Sequence, residues 1–222
     1  MKLSEEMKNK TLLSFELFPP KTEKGLQNLP GTIDHLMKYN PSYISCTYGA
    51  GGGNVGANRE VCQMIKNAGT TPVTHFTVIK NTKEGIKEQL DQYLADGVDH
   101  MLALRGDIPL GETTTCGDFD YATDLVKFVR DTYGDKFEIA VAGSPEGHIS
   151  CISLESDIAV LKQKQDNGAD YIMTQLCWDM EQFKYWLDAI RKAGITMPVD
   201  VGVMPILDQA ATINMALSRN GC

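Results

Sequence analysis

One plan appears twice in this chain and constrains its fold more than any other feature. In "LADGVDHMLAL" (94–104) and in "QDNGADYIMTQ" (165–175), a helical tail ends on glycine, a small residue and an aspartate follow, and an apolar strand begins. A glycine just past a helix suits the left-handed C′ position. The plan is that of a βα unit of about 30 residues, not of a solenoid repeat. Strands are predicted in "TLLSFELF", "SYISCT", "PVTHFTVI", "DHMLAL", "FEIAVA", "DYIMTQ" and "PVDVGV". Amphipathic or helical stretches separate them: one up to Tyr39, then "NREVCQMIKNAG", "TKEGIKEQLDQYLADG", "YATDLVKFVRDTYG", "LESDIAVLKQKQDNG" and "DMEQFKYWLDAIRKAG", with "DQAATINMALSRNG" closing the series.

Strict alternation of β and α predicts a parallel sheet covered by helices. A (β/α)8 barrel and an open doubly wound sheet both satisfy it, and the strand ends discriminate. In a barrel every C-terminal strand end faces one shared site, whereas in an open sheet only the ends at the switch point do. The ends here read Glu16, Thr47, His75, Arg105 with Asp107, Ser144, Gln175 and Met204. All but Met204 carry a polar group, which favours the α/β class and a TIM barrel. Only seven βα units are evident, so residues 1–222 are expected to form one barrel domain whose eighth strand is missing or truncated. No linker rich in proline, glycine or serine divides the chain.

Composition excludes several classes of function. Against 21 basic residues stand 29 acidic ones, for a net charge of −8, the wrong sign for non-specific nucleic-acid binding. The opening "MKLSEEMKNK" is too charged for a signal peptide, and no apolar run nears the ~20 residues of a membrane helix. The six cysteines form no C-x-x-C pair, so neither a disulfide framework nor a metal site is expected. A reduced, cytoplasmic protein with no nucleic-acid or membrane partner follows as the expectation.

"SFELFPPKTEKG" (14–25) sets Glu16 among Phe15, Leu17 and Phe18. Period-two alternation puts Ser14, Glu16 and Phe18 on one face, which in a barrel points inward at the mouth. Such a carboxyl either pairs with a base or is held protonated for chemistry, because desolvation disfavours its charged form. "GGGNVG" matches G-x-G-x-x-G at Gly51, Gly53 and Gly56. It follows the second strand, not the first, and no acid ends the next strand, so a loop over the barrel mouth is expected instead of a dinucleotide fingerprint. "LALRGDIPLG" flanks Gly106 with Arg105 and Asp107, on a loop fixed by proline and glycine. The planar fork of arginine suits phosphate. His75 is either a satisfied core histidine or a ligand contact. His148 lies in "SPEGH", and Asp157 and Lys164, seven apart, share a helix face. Gln175 ends its strand with an amide suited to a polar ring edge, while Trp178 reads as core.

In this order and spacing, "SFELFPP", "SCTYGA", "THFT", "ALRGD", "PEGH" and "TQLCWD" resemble the methylenetetrahydrofolate reductase family, from about Ser14 to the end. The resemblance implies a (β/α)8 barrel with a flavin at the C-terminal strand ends and ping-pong chemistry, in which NADH or NADPH reduces the flavin and then yields its place to a folate. It implies Glu16 as general acid and Asp107 as the aspartate beside flavin and pterin. Thr47 and Gln175 fall at substrate-contacting positions. Tyr48, Ala50, His75, Arg105, Gly106, Asp107, Tyr121, Ala122, His148, Asp157 and Lys164 fall at flavin-binding positions. Ser144 stands where bacterial members have tyrosine, and Val160 and Gln163 where they have asparagine and arginine. The resemblance therefore implies FAD, with FMN as the alternative, and fewer polar anchors for the dinucleotide tail. A homo-oligomer is expected, and a redox partner protein is a further source of electrons. Two other readings stand beside this one: a flavin-independent barrel lyase or aldolase using Glu16 and Asp107, and a truncated, non-catalytic binding barrel.

Overall fold

A computed structural model describes residues 2–48, 55–108 and 111–216, with side chains for all of these except 55, 56, 211, 215 and 216. Seven strands alternate with helices: β1 (Ser14–Leu17), α2 (Glu23–Met37), β2 (Tyr43–Cys46), α3 (Val55–Asn67), β3 (Thr71–Thr77), α4 (Lys83–Ala95), β4 (His100–Leu104), α5 (Ala122–Tyr133), β5 (Glu138–Gly143), α6 (Leu154–Asp166), β6 (Tyr171–Thr174), α7 (Met180–Lys192), β7 (Val199–Asp200) and α8 (Gln209–Ala216). A short helix, α1 (Leu3–Glu6), precedes them. The strands form one sheet in the order β1 to β7, every pair parallel. This is the curled, seven-unit TIM-barrel-like fold that the alternation predicts.

The repeated glycine plan closes its helix in the same way in both copies. Gly97 and Gly168 have positive φ, 70° and 104°. The next amide in each turns back onto its helix, Val98 N to Tyr93 O at 2.8 Å and Ala169 N to Lys164 O at 3.1 Å. The left-handed residue ends the helix and aims the chain into the next strand.

Alternation along each strand divides the core in two. Outward side chains such as Ile44, Phe76, Val141 and Ile172 pack with helix residues Ile65, Leu90, Val126 and Trp186. Inward ones, Tyr43, Val73, Leu102, Ala140 and Tyr171, pack around Leu3. The curl brings β7 across from the first two strands: the Asp200 carboxylate accepts hydrogen bonds from the Tyr43 hydroxyl and, at 3.3 Å, from Ser14 Oγ. No ladder joins β1 to β7 among the described residues.

The helix α1 closes the N-terminal end of the barrel. The backbone N–H groups of Leu3 and Ser4 donate to the Glu138 carboxylate at 2.7 and 2.8 Å. An anion accepting the free N–H groups of a helix start is favourable geometry. His100 Nε2 lies 2.9 Å from Glu138 Oε2, and its Nδ1 lies 2.6 Å from Asp99 Oδ1. The first of these contacts is an ion pair without the alignment of a hydrogen bond. Glu138 is thus a buried carboxylate whose oxygens are fully employed.

Candidate active site at the C-terminal strand ends

The opposite end of the barrel is built differently. Glu16 sits on the inner face of β1, opposite Ser45 in the β1–β2 register. It is exposed to the cup, and it forms no hydrogen bond or ion pair among the described residues. Protein crowds it on its other sides, and this partial desolvation raises its pKa above the ordinary glutamate value. Solvent on the open side and protein elsewhere is what a recessed position in a barrel mouth provides. Among the described residues no base pairs with Glu16. The pairing explanation applies to Glu138 at the other end.

Thr47 extends the inner-face series of Tyr43 and Ser45. Its N–H donates to Leu17 O at 2.9 Å and its carbonyl accepts from Asn58 Nδ2 at 3.0 Å. Its hydroxyl has no partner among the described residues. Tyr48 goes the other way: its ring packs beside Phe76, its hydroxyl donates to Gln89 at 2.6 Å, and burial raises its pKa to about 12. A contact from Tyr48 to a ligand in the mouth would have to come from its backbone. Ala50 and the glycines Gly51 and Gly53 lie outside the described residues, and Gly56 falls within the first turn of α3.

His75 lies on the inner face of β3, 7% exposed, and burial lowers its pKa to about 4. Its imidazole is neutral at physiological pH, and Nε2 has no hydrogen-bond partner among the described residues. Gly106 rests on the end of the same strand with φ 83°. A Cβ there would come within 2.6 Å of Ile79 Cγ1 and 3.0 Å of Thr77 Cβ. Only glycine permits this approach, so the Arg105–Asp107 turn is fixed in place, with its three residues half-buried.

A second group gathers around the ends of β4 to β6. Asp157, on α6, accepts from His148 N at 3.3 Å and from Cys151 Sγ at 3.6 Å. Lys164, two turns further along the same face of α6, donates to Ala142 O at 2.9 Å, at the end of β5. Burial lowers the pKa of Lys164, and the Asp157 and Cys151 charges oppose the shift. His148 is also lowered, first by desolvation and further by the positive charges of Arg105 and Lys164, against the pull of Asp157. Its Nδ1 accepts from Ser150 N at 3.1 Å. Gln175 N donates to Gly143 O at 2.8 Å, which carries its exposed side chain past the sheet edge. Tyr121 caps α5 through its N–H to Asp124, at 3.0 Å. The Tyr121 side chain is 61% exposed, and Ala122 is buried. Val160 and Gln163 face solvent on α6, and Trp178 is 42% exposed and not a core residue.

Sequence reading passed over Asn58. It is fully buried and joins β2, β3, α3 and α4 through its amide. The signal was present: Asn58, Cys62 and Ile65 share a helix face, and an asparagine in an otherwise core-facing stripe needs partners for every polar atom.

Fold and site together define a parallel (β/α)-barrel protein whose polar groups converge at the C-terminal strand ends. The chain belongs to the methylenetetrahydrofolate reductase family, whose sequence model matches residues 2–218. Methylenetetrahydrofolate reductase (NADH) 1 of Arabidopsis thaliana is 38% identical over 219 residues, covering 93% of this chain and 37% of that protein. The 5,10-methylenetetrahydrofolate reductase of Escherichia coli is 34% identical over 202 residues, covering 90% of this chain and 67% of that protein. The chain thus spans little more than a third of its plant relatives and two thirds of its bacterial ones. Among solved structures, a Clostridium thermocellum protein described as binding two copies of 5-methyl-5,6,7,8-tetrahydrofolic acid superposes with TM-score 0.67 at 14% identity, over 96% of this chain and 73% of that one. A 2,3-dimethylmalate lyase superposes with TM-score 0.60 at 10% identity, over 96% of this chain and 81% of that one. At such identities the likeness is one of fold. No described helix is long and apolar enough to cross a membrane.

Proposed function

We propose that this barrel reduces methylenetetrahydrofolate to methyltetrahydrofolate with a bound flavin, FAD ahead of FMN, recharged by NADH or NADPH in a ping-pong cycle. The observation that carries the reading is Glu16: a carboxyl on the inner face of β1 with no partner among the described residues, open to the mouth, with its pKa raised. Opening the methylene bridge requires a proton on the bridging nitrogen, and a glutamic acid tuned upward can hold that proton near neutral pH. Family membership supports the reaction class.

The residues fit a flavin on two counts. Arg105 and Lys164 both act on His148, against the Asp157 carboxylate, and a guanidinium and an ammonium beside the ends of β4 and β5 suit a phosphate ester. His75 is a neutral imidazole and adds no charge beside a redox-active ring. When bound, the flavin would supply the transfer of hydride from nicotinamide to folate. Arg105, His148 and Lys164 would hold the phosphate end. Asp107, on its glycine-fixed turn, would face the pterin. Thr47 and Gln175 would orient the nicotinamide or folate ring. Glu16 would donate its proton to the bridging nitrogen and regain one from solvent through the open cup.

An absorbance spectrum of the purified protein tests this directly. A yellow protein with a band near ~450 nm that bleaches under anaerobic NADH or NADPH and recovers with methylenetetrahydrofolate is expected. A colourless protein that cannot be reconstituted with FAD or FMN would overturn the reading in favour of a flavin-independent barrel enzyme. One that binds flavin and folate without turnover would leave only a binding barrel.

A further inference from the structure

From the hydrogen bonds around Asn58 we infer that it is the positioning residue for Thr47, and so for the ring-binding wall formed by the end of β2. This inference rests on the proposed function for the identity of the ring, but not for the geometry. Asn58 Nδ2 donates to Cys46 O at 2.9 Å and to Thr47 O at 3.0 Å. Cys46 is the last residue of β2, and Thr47 lies one position past it. Asn58 Oδ1 accepts from Thr74 Oγ1 at 2.8 Å and Tyr93 OH at 2.7 Å, with Cys62 Sγ at 3.6 Å. The amide can therefore adopt only one orientation: a flip would set its NH2 against hydroxyls that also bond elsewhere and its oxygen against two carbonyls.

The consequence falls on Thr47. Its N–H is held by Leu17 on β1 and its carbonyl by Asn58, so both backbone polar groups are fixed and only the hydroxyl is left for the mouth. Asn58 is itself 0% exposed and touches nothing in the cup. Its influence on a ligand must pass through the β2 end.

A double-mutant cycle separates positioning from bulk stability. Asn58→Ala and Thr47→Val are each made in the flavin-loaded protein, and the Kd for methyltetrahydrofolate is read from perturbation of the flavin band. Each single variant is expected to weaken binding by about 10-fold, the order of one lost hydrogen bond, and the double variant by no more than either. Multiplying losses, or an Asn58→Ala protein that is less stable yet binds normally, would overturn the assignment. A ligand-free readout keeps the inference distinct from the proposed function. In protein labelled with 13C at threonine methyls, the Thr47 resonance should move in Asn58→Ala and stay in place in Ile190→Ala, a core variant on remote α7. If folate does not bind the parent protein, the proposed function fails while the methyl shift still decides the role of Asn58. An unmoved Thr47 resonance would refute that role on its own.

Discussion

Two inner-face carboxylates define this molecule at the scale of single residues. Glu138 is surrounded by donors and its pKa falls to about 2: burial would raise it, but His100, Ser4 and the Leu3 and Ser4 amides outweigh burial. Glu16 has no such donors among the described residues, and its pKa goes up. The same side chain on the same kind of strand is thus stabilised as an anion at one end and disfavoured as one at the other, and the described partners distinguish the two. Asp107 belongs to the chemical end. Its turn is fixed by Gly106, so Asp107→Asn should leave the backbone in place while removing the charge proposed to face the pterin. The reduced protein should then reoxidise more slowly with methylenetetrahydrofolate, by about 10-fold or more, with flavin content unchanged. A variant purified without flavin, whose residual holoprotein reacts normally with folate, would make Asp107 a structural residue.

At the scale of elements, two histidines set how stability depends on pH. His75, on β3, has its pKa lowered from 6.5 to about 4 by burial. The unfolded chain binds its proton more readily, so the contribution of His75 is complete above pH 6.5 and is lost as pH falls toward about 4. His100, on β4, goes the other way. Burial would lower it, but contact with the Asp99 and Glu138 carboxylates outweighs that and raises it from 6.5 to about 9. Its contribution is complete below pH 6.5 and is lost as pH rises through about 9. Urea midpoints measured from about pH 5 to about pH 10 should therefore peak near neutrality. His100→Gln should flatten the alkaline limb and leave the acid limb standing. An unchanged alkaline limb would mean that the α1–β5 anchor does not depend on imidazolium.

For the whole molecule, what could be read from sequence was local and what could not was long-range. Helix and strand order followed from periodicity and glycine, because a left-handed residue and an alternating strand are decided within a few neighbours. Strand lengths were overestimated where pairing fails: "TLLSFELF" shortens to Ser14–Leu17 and "PVDVGV" to Val199–Asp200, since these strands pair on one side only. The helix α1 was not legible at all. Four residues cannot hold a helix alone, and its anchor Glu138 lies 135 residues from Leu3. Asn58 escaped for the same reason, most of its partners coming from three other elements, the β2 end, β3 and α4. The strand-end groups were legible because a parallel barrel sends every strand's C-terminal end to one face. The outward turn of Tyr48 was not, because it depends on Gln89, 41 residues away on α4.

The central claim is that Glu16 delivers a proton to folate, and one variant isolates it. Glu16→Gln keeps shape and polarity but cannot donate an acidic proton. Flavin reduction by nicotinamide needs no acid from the protein, whereas opening the methylene bridge does. In rapid-mixing absorbance at the flavin band, bleaching by the nicotinamide donor should proceed at a near-normal rate. Reoxidation by methylenetetrahydrofolate should slow by roughly 10²- to 10⁴-fold, the range for a lost general acid. Equal slowing of the two half-reactions, with a lowered melting temperature, would contradict the account and return Glu16 to a structural role.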